Sequence, residues 1–170
     1  MKRAGKIVAW VVGGVAGFAV LAILVALFLP AGHSATVSRV VAGTPEEVWA
    51  VITDVEGFST WRPDVDRAER IEPRAGWPAW REEGPSGALT FEMAGVEPPK
   101  RLVTSIVDEG LPFGGTWTYV LEPSGTGTFV TITEDGLIYS PVYRFASRFF
   151  LGYEGTMVTY LDGLEARMRR

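Results

Sequence analysis

One histidine, no cysteine and 20 acidic residues bound the chemistry open to this 170-residue chain. A serine or threonine nucleophile needs an adjacent base. The lone His33 follows directly on a long apolar run, in what reads as a linker, so no triad is expected. Without cysteine, disulfides, thiol nucleophiles and thiolate-ligated metals are excluded, and one histidine is too few for a histidine-rich metal site. Glu82-Glu83, Asp108-Glu109 and Glu134-Asp135 are adjacent pairs that lack the spacing of a calcium loop and read as solvated turns. No glycine-rich phosphate loop leads from a strand into a helix, so no nucleotide cradle is visible, and no metal or cofactor is expected. What remains is carboxylate acid–base work inside an apolar cavity, where burial raises a carboxyl pKa into a useful range. Arg81, Glu92 and Glu134 are the strand-borne charges that matter if they point inward. Glu92 or Glu134 would be the acid or base, as a minor reading, and no residue is assigned as catalytic.

Any such cavity needs walls, and the C-terminal run Ser140 to Met168 supplies the largest. Val142, Phe145, Phe149, Tyr153, Met157, Tyr160, Leu161, Leu164 and Met168 recur three or four residues apart, the period of one amphipathic helix with an aromatic face. At 1.5 Å per residue that helix would be about 43 Å long. Ser140 as N-cap and Pro141 in the first turn mark its start. Gly152 and Gly155 fall inside it, each costing about 1 kcal/mol against alanine, which predicts a bend or a close backbone approach.

The N-terminal end is organised differently. Ile7 to Leu29 is an uncharged run of 23 residues, long enough as a helix to cross a hydrocarbon core of about 30 Å. It is expected to be a transmembrane helix over residues 7–29, with a cleaved signal peptide as the competing reading. Lys2, Arg3 and Lys6 precede it, so the positive-inside bias places residues 1–6 in the cytoplasm and the remainder outside it, as a single-pass protein of the cell membrane. All 20 acidic residues follow the run, whereas three of the 16 basic ones precede it, leaving about −7 on the rest of the chain. That charge argues against nucleic acid and against broad adhesion to anionic headgroups.

Residues 30–35 are expected to be a linker and residues 36–170 one domain. Thr36 to Ala42 alternates as a first strand. Thr44-Pro45-Glu46-Glu47 is a capping box that starts a helix through Val48, Trp49 and Ile52. Asp54 to Trp61 forms a second short helix or turn, with Asp54 as a hydrogen-bonding turn residue and Arg62 and Asp64 as a surface ion pair of little energetic consequence. Period-two segments then run near Val65–Ile71, Ala79–Glu83, Ala88–Met93, Arg101–Asp108, Thr116–Leu121 and Thr128–Glu134, separated by Gly- and Pro-rich breaks. Trp117 and Tyr119 alternate with Thr116 and Thr118, and Val130 and Ile132 with Phe129, Thr131 and Thr133. One face therefore carries hydroxyls among large apolar groups, as either a cavity lining or an outer face.

This order, marked by Thr44-Pro45-Glu46-Glu47-Val48-Trp49, Trp61-Arg62-Pro63-Asp64, Pro98-Pro99-Lys100-Arg101-Leu102-Val103, Gly115-Thr116-Trp117 and the final helix, resembles the helix-grip (SRPBCC) superfamily. That superfamily includes START-like lipid-transfer domains, pollen-allergen-like proteins and the polyketide cyclase/dehydrase group. The resemblance spans about Thr36 to Met168. It implies an α+β fold in which a curved antiparallel sheet of six to seven strands wraps around a long C-terminal helix, with two short helices after the first strand. It also implies a deep apolar cavity between sheet and helix, and it does not choose among activities.

The expectation is thus a membrane-anchored domain that binds an apolar small molecule or lipid. Trp61, Phe91, Trp117, Tyr119, Phe145, Phe149, Tyr153 and Met157 would line the cavity, and the Pro112–Gly115 loop would gate it. Trp49 and Trp61 have packing of the short helices as their alternative role. A non-catalytic assembly domain at the membrane, its cavity filled by its own aromatics, is the alternative function, and a cyclase- or dehydratase-like enzyme is a third.

Overall fold

A seven-stranded antiparallel sheet in the order β1-β7-β6-β5-β4-β3-β2 forms the body of the computed structural model, which describes residues 2–169 apart from 75, 86 and 126. The chain enters through helix α1 (Lys2–Phe28), which is followed by β1 (Gly32–Val41), α2 (Pro45–Ile52) and a 3₁₀ turn (Val55–Thr60). β2 (Arg67–Arg74), β3 (Trp77–Gly84), β4 (Gly87–Glu97), β5 (Arg101–Ile106), β6 (Phe113–Ser124) and β7 (Gly127–Ile138) then meander across the sheet. The chain closes with α3 (Pro141–Ala146), a π-turn (Ser147–Leu151) and α4 (Gly155–Met168). The expected α+β helix-grip architecture is present.

The segment from Trp10 to Phe28 is the one span among the described residues long and apolar enough to cross a membrane, with 19 residues and a mean hydropathy of 2.7. The start of α2 is fixed as its capping box requires. The Glu47 backbone N–H donates to Thr44 Oγ1 at 3.3 Å, and the Thr44 backbone N–H donates to Glu47 Oε2 at 2.8 Å. Such caps contribute about 1 kcal/mol.

Strand parity sorts the side chains. On β7, Val130 and Ile132 are fully buried, while Thr131 and Thr133 exchange hydroxyl hydrogen bonds with Ser38 (3.0 Å) and Thr36 (2.9 Å) of β1. The hydroxyl-bearing face is therefore the outer one. Register shifts between Ile71 and Arg74 and between Met93 and Gly95 bend β2 and β4, and such irregularities increase local twist. The concave face receives α2, the 3₁₀ turn and α4, whose Met157, Leu161 and Leu164 are buried with Val41, Val48 and Leu102.

Four sequence expectations need correction here. β1 starts at Gly32, paired with Leu137, so residues 32–35 belong to the sheet rather than to a linker, and His33 with them. The C-terminal run is not one helix. The Gly152 N–H bonds to Ser147 O at 2.9 Å across five residues, and Gly152 itself adopts φ 73°, a left-handed geometry that ends the helix and suits glycine. Ser140 occupies the N-cap position of α3, but its hydroxyl makes no capping hydrogen bond; Pro141 alone marks the start. Phe113 to Gly115, expected as a loop, are the first residues of β6.

Candidate functional site

The concave face and α4 do not close completely. A cavity of about 670 Å³ remains between them and opens beside α3, the π-turn and the start of β6. This lies within the range typical of small-molecule sites. Leu89, Phe91, Leu102, Ile106, Trp117 and Tyr119 line it from the sheet, with Tyr153, Thr156 and Tyr160 from the opposite side.

Two polar clusters interrupt this apolar wall. The first is built around Arg62, two residues past the 3₁₀ turn. α4 passes so close to this turn that a Cβ on Gly163 would stand 2.6 Å from the Trp61 carbonyl oxygen, so glycine there sets how deeply Arg62 is inserted. Arg62 Nη1 donates to Glu82 Oε1 at 2.7 Å and Nη2 to Asp64 Oδ2 at 2.7 Å, and Glu82 Oε1 also accepts from Trp80 Nε1 at 2.8 Å. The guanidinium lies 5.2 Å from the Phe58 ring centre and 5.3 Å from that of Tyr160, a cation–π arrangement on both. The side chain is only 11% exposed. The expected surface ion pair is therefore a buried network, and losing one partner of such a network costs about 3–5 kcal/mol because the remaining charge is stranded.

Electrostatics follow from this burial. Burial alone would lower the Arg62 pKa, but the Glu82 and Asp64 carboxylates outweigh it and hold the guanidinium charged far beyond any working pH. Burial pushes the Tyr119 phenol up, Arg62 opposing it in part. Tyr160 is also raised, by burial first and by Tyr119 second. Both phenols thus stay neutral, able to donate as well as accept.

The second cluster stands nearer the opening. His33 on β1 hydrogen-bonds through Nε2 to Glu134 Oε1 at 2.9 Å, and Glu134 Oε2 accepts from Trp117 Nε1 at 2.7 Å. The Tyr153 ring stacks on the imidazole with centroids 4.0 Å apart. This close approach depends on Gly136, where a Cβ would run into the His33 ring. His33 Nδ1 is buried without a protein partner. Trp117 packs edge-on to Tyr160 at 5.8 Å, so an aromatic wall joins the two clusters. The pairing gives the cavity one imidazole and one carboxylate within hydrogen-bond reach of each other, a unit able to hold a ligand hydroxyl or carbonyl or to relay a proton. Among the described residues no group of three or more potential ligands could hold a metal ion.

Of the residues expected at the cavity, Phe91, Trp117, Tyr119 and Tyr153 stand on its wall. The others do not. Met157 is fully buried in the core, and Trp61 packs edge-on against Phe58 and Tyr160 beside a shallow dent on the far side of the turn. Phe145 and Phe149 lie on the α3 and π-turn segment, their rings 4.8 Å apart, and Phe149 is 55% exposed. The helix break rotates this segment out of the face that α4 buries. Glu134 points inward, whereas Glu92 lies outside the cavity lining, and Arg81 is exposed beside Glu83.

His33, Arg62, Glu82 and Tyr160 were not expected here. For Glu82 a signal existed: it shares strand parity with Trp80, which faces the core.

Residues 32–169 match a family model described as "Polyketide cyclase / dehydrase and lipid transport". Among solved structures, the Zhui aromatase/cyclase from Streptomyces sp. R1128 is similar with a TM-score of 0.68 and 15% identity, over 82% of this chain and 94% of that one. Protein MLL2253 from Mesorhizobium loti gives 0.63 and 20%, over 81% and 98%. The di-domain aromatase/cyclase StfQ from the steffimycin biosynthetic pathway gives 0.65 and 13% over 81% of this chain, which spans only 51% of that two-domain protein. At these identities the likeness is one of fold. No curated protein matches the chain significantly.

Proposed function

The chain belongs to the polyketide cyclase/dehydrase and lipid transport family, and from that premise we propose that its domain binds an apolar small molecule or lipid in the cavity between sheet and α4. The observation that carries this reading is the cavity itself, about 670 Å³ with a mainly apolar lining and polar groups gathered at two places. Sites of this kind gain affinity from apolar burial and orientation from a few fixed polar groups. The ligand's apolar body would lie along Phe91, Trp117 and Tyr119. A hydroxyl of the ligand would meet the polar groups of the His33–Glu134 pair on the cavity wall. Helix α1 would anchor the domain to the cell membrane as a single pass, with the N-terminus cytoplasmic and the sheet domain from β1 onward on the other side.

The experiment is native mass spectrometry of the full chain released from detergent micelles, with solvent extraction of what co-purifies. A defined apolar adduct near one-to-one occupancy is the expected result. An unshifted mass after incubation with fatty acids, sterols and phospholipids would overturn it in favour of an assembly domain, to be pursued by cross-linking. Protease added to intact cells tests the topology, since a protected domain would contradict it.

A second reading, acid–base catalysis of a cyclisation or dehydration, is favoured by the His33–Glu134 pair on the cavity wall. In it Glu134 would orient the imidazole and His33 would move the proton. Turnover of any cavity ligand that survives Glu134→Gln and His33→Gln unchanged would remove it.

A further inference from the structure

The segment Pro141 to Leu151 presents an apolar surface that the fold itself does not cover. Val142, Tyr143, Phe149, Phe150 and Leu151 are 64%, 58%, 55%, 74% and 72% exposed. They belong to one 11-residue segment, in which Phe145 gathers Phe149 at 4.8 Å and Phe150 at 6.1 Å between ring centres. Exposed apolar patches of this kind mark contact surfaces.

Its position indicates the partner. α3 packs on the last turns of α1, where Ala26 is buried. Arg144 Nη1 donates to the Leu29 carbonyl at 2.7 Å and Nη2 to that of Tyr139 at 3.1 Å. The patch is therefore held at the depth where the apolar helix ends, beside Phe28, which is 89% exposed. Arg148 is exposed in the same segment, where a guanidinium can reach lipid phosphates while its stem lies among apolar side chains. The same strip frames the cavity: Tyr143, Leu151 and Tyr153 line its opening on one side, and Pro112 and Phe113 on the other.

We propose that Pro141–Leu151 lies in the interface of the bilayer crossed by α1, its partner a phospholipid surface, so that the cavity opens onto lipid rather than water. This rests on the reading of α1 as a membrane anchor. An amphipathic helix seated in this way buries its apolar face at the boundary between headgroups and acyl chains. An apolar ligand then passes between leaflet and cavity without an aqueous step.

The absence of cysteine allows clean single-site labelling. Val15→Cys in α1, Phe150→Cys on the patch, Phe113→Cys on the opposite rim and Lys100→Cys on the far β4–β5 turn would each carry a nitroxide. The full chain would be reconstituted in phosphatidylcholine vesicles, and collision rates with oxygen and with a water-soluble nickel chelate compared. The expected result is oxygen-dominated collision at 15, 150 and 113 and nickel-dominated collision at 100, with ratios differing severalfold. A lipid-exposed 15 with an aqueous 150 would overturn the docking and leave the anchor standing. A lipid-exposed 150 with an aqueous 113 would overturn the opening onto lipid. An aqueous 15 would instead overturn the anchor on which the proposal rests.

Discussion

The two halves of the C-terminal run carry the same apolar spacing and meet opposite fates. In α4, Met157, Tyr160, Leu161 and Leu164 are all buried at 3% exposure or less, whereas Phe149, Phe150 and Leu151 in the π-turn stand more than half exposed. Periodicity announces that a helix has an apolar face; it does not say what the face will meet. The difference is made at Gly152, whose left-handed backbone uncouples the two faces. α4 is then free to lie on the sheet, while the preceding turns stay with the end of α1.

The sharpest way to break this comparison is truncation on each side of Gly152. Leu164→Ala, at a fully buried position, should cost about 2–5 kcal/mol. Phe150→Ala should change stability by no more than about 0.5 kcal/mol. Chemical denaturation of the full chain in detergent, followed by circular dichroism, measures both, and equal losses would refute the assignment of core to one half only.

A smaller effect concerns pH and falls where β6 meets α4, at the packed rings of Tyr119 and Tyr160. Tyr119 and Tyr160 have raised folded-state pKa values, so the stability they contribute is complete below the ordinary tyrosine value of about 10 and is lost as pH climbs above it towards the folded values. Tyr160→Phe should flatten the melting temperature between about pH 9 and 11 relative to the unsubstituted chain. Tyr143→Phe, at a position more than half exposed, is the control. A further effect lies at the break: Gly152→Ala should cost about 1–2 kcal/mol because of its left-handed φ. Gly155→Ala, with open space around it, should be neutral or stabilise by up to about 1 kcal/mol. Opposite signs in thermal melts would place the break at 152.

Most of the architecture was legible because its signals are local. The Thr44–Glu47 capping box, the alternation in the strands and the Gly- and Pro-rich turns each act within a few residues. Even the inward direction of Glu82 and Glu134 could be read from the parity of Trp80 and Ile132. The clusters were less legible because they are assembled across the sheet. His33 gains its meaning from Glu134, 101 residues away. Arg62 looks like a surface ion pair beside Asp64 until Glu82 and the rings of Phe58 and Tyr160 surround it. Gly152 was visible as a weak point, but one glycine costs a helix only about 1 kcal/mol, too little to tell a bend from a break.

Among the described residues the sheet ends at β2, whose outer edge has no strand beside it. That edge carries Arg67, Glu69, Arg70, Glu72, Pro73 and Arg74, a dense alternation of charge closed by a residue that lacks an N–H. A second copy trying to extend the sheet there would have to strip water from those charges and meet a missing donor. The charges and the proline thus act as a guard against fibre-like self-association, and the β2 edge can do without a strand partner at high local concentration.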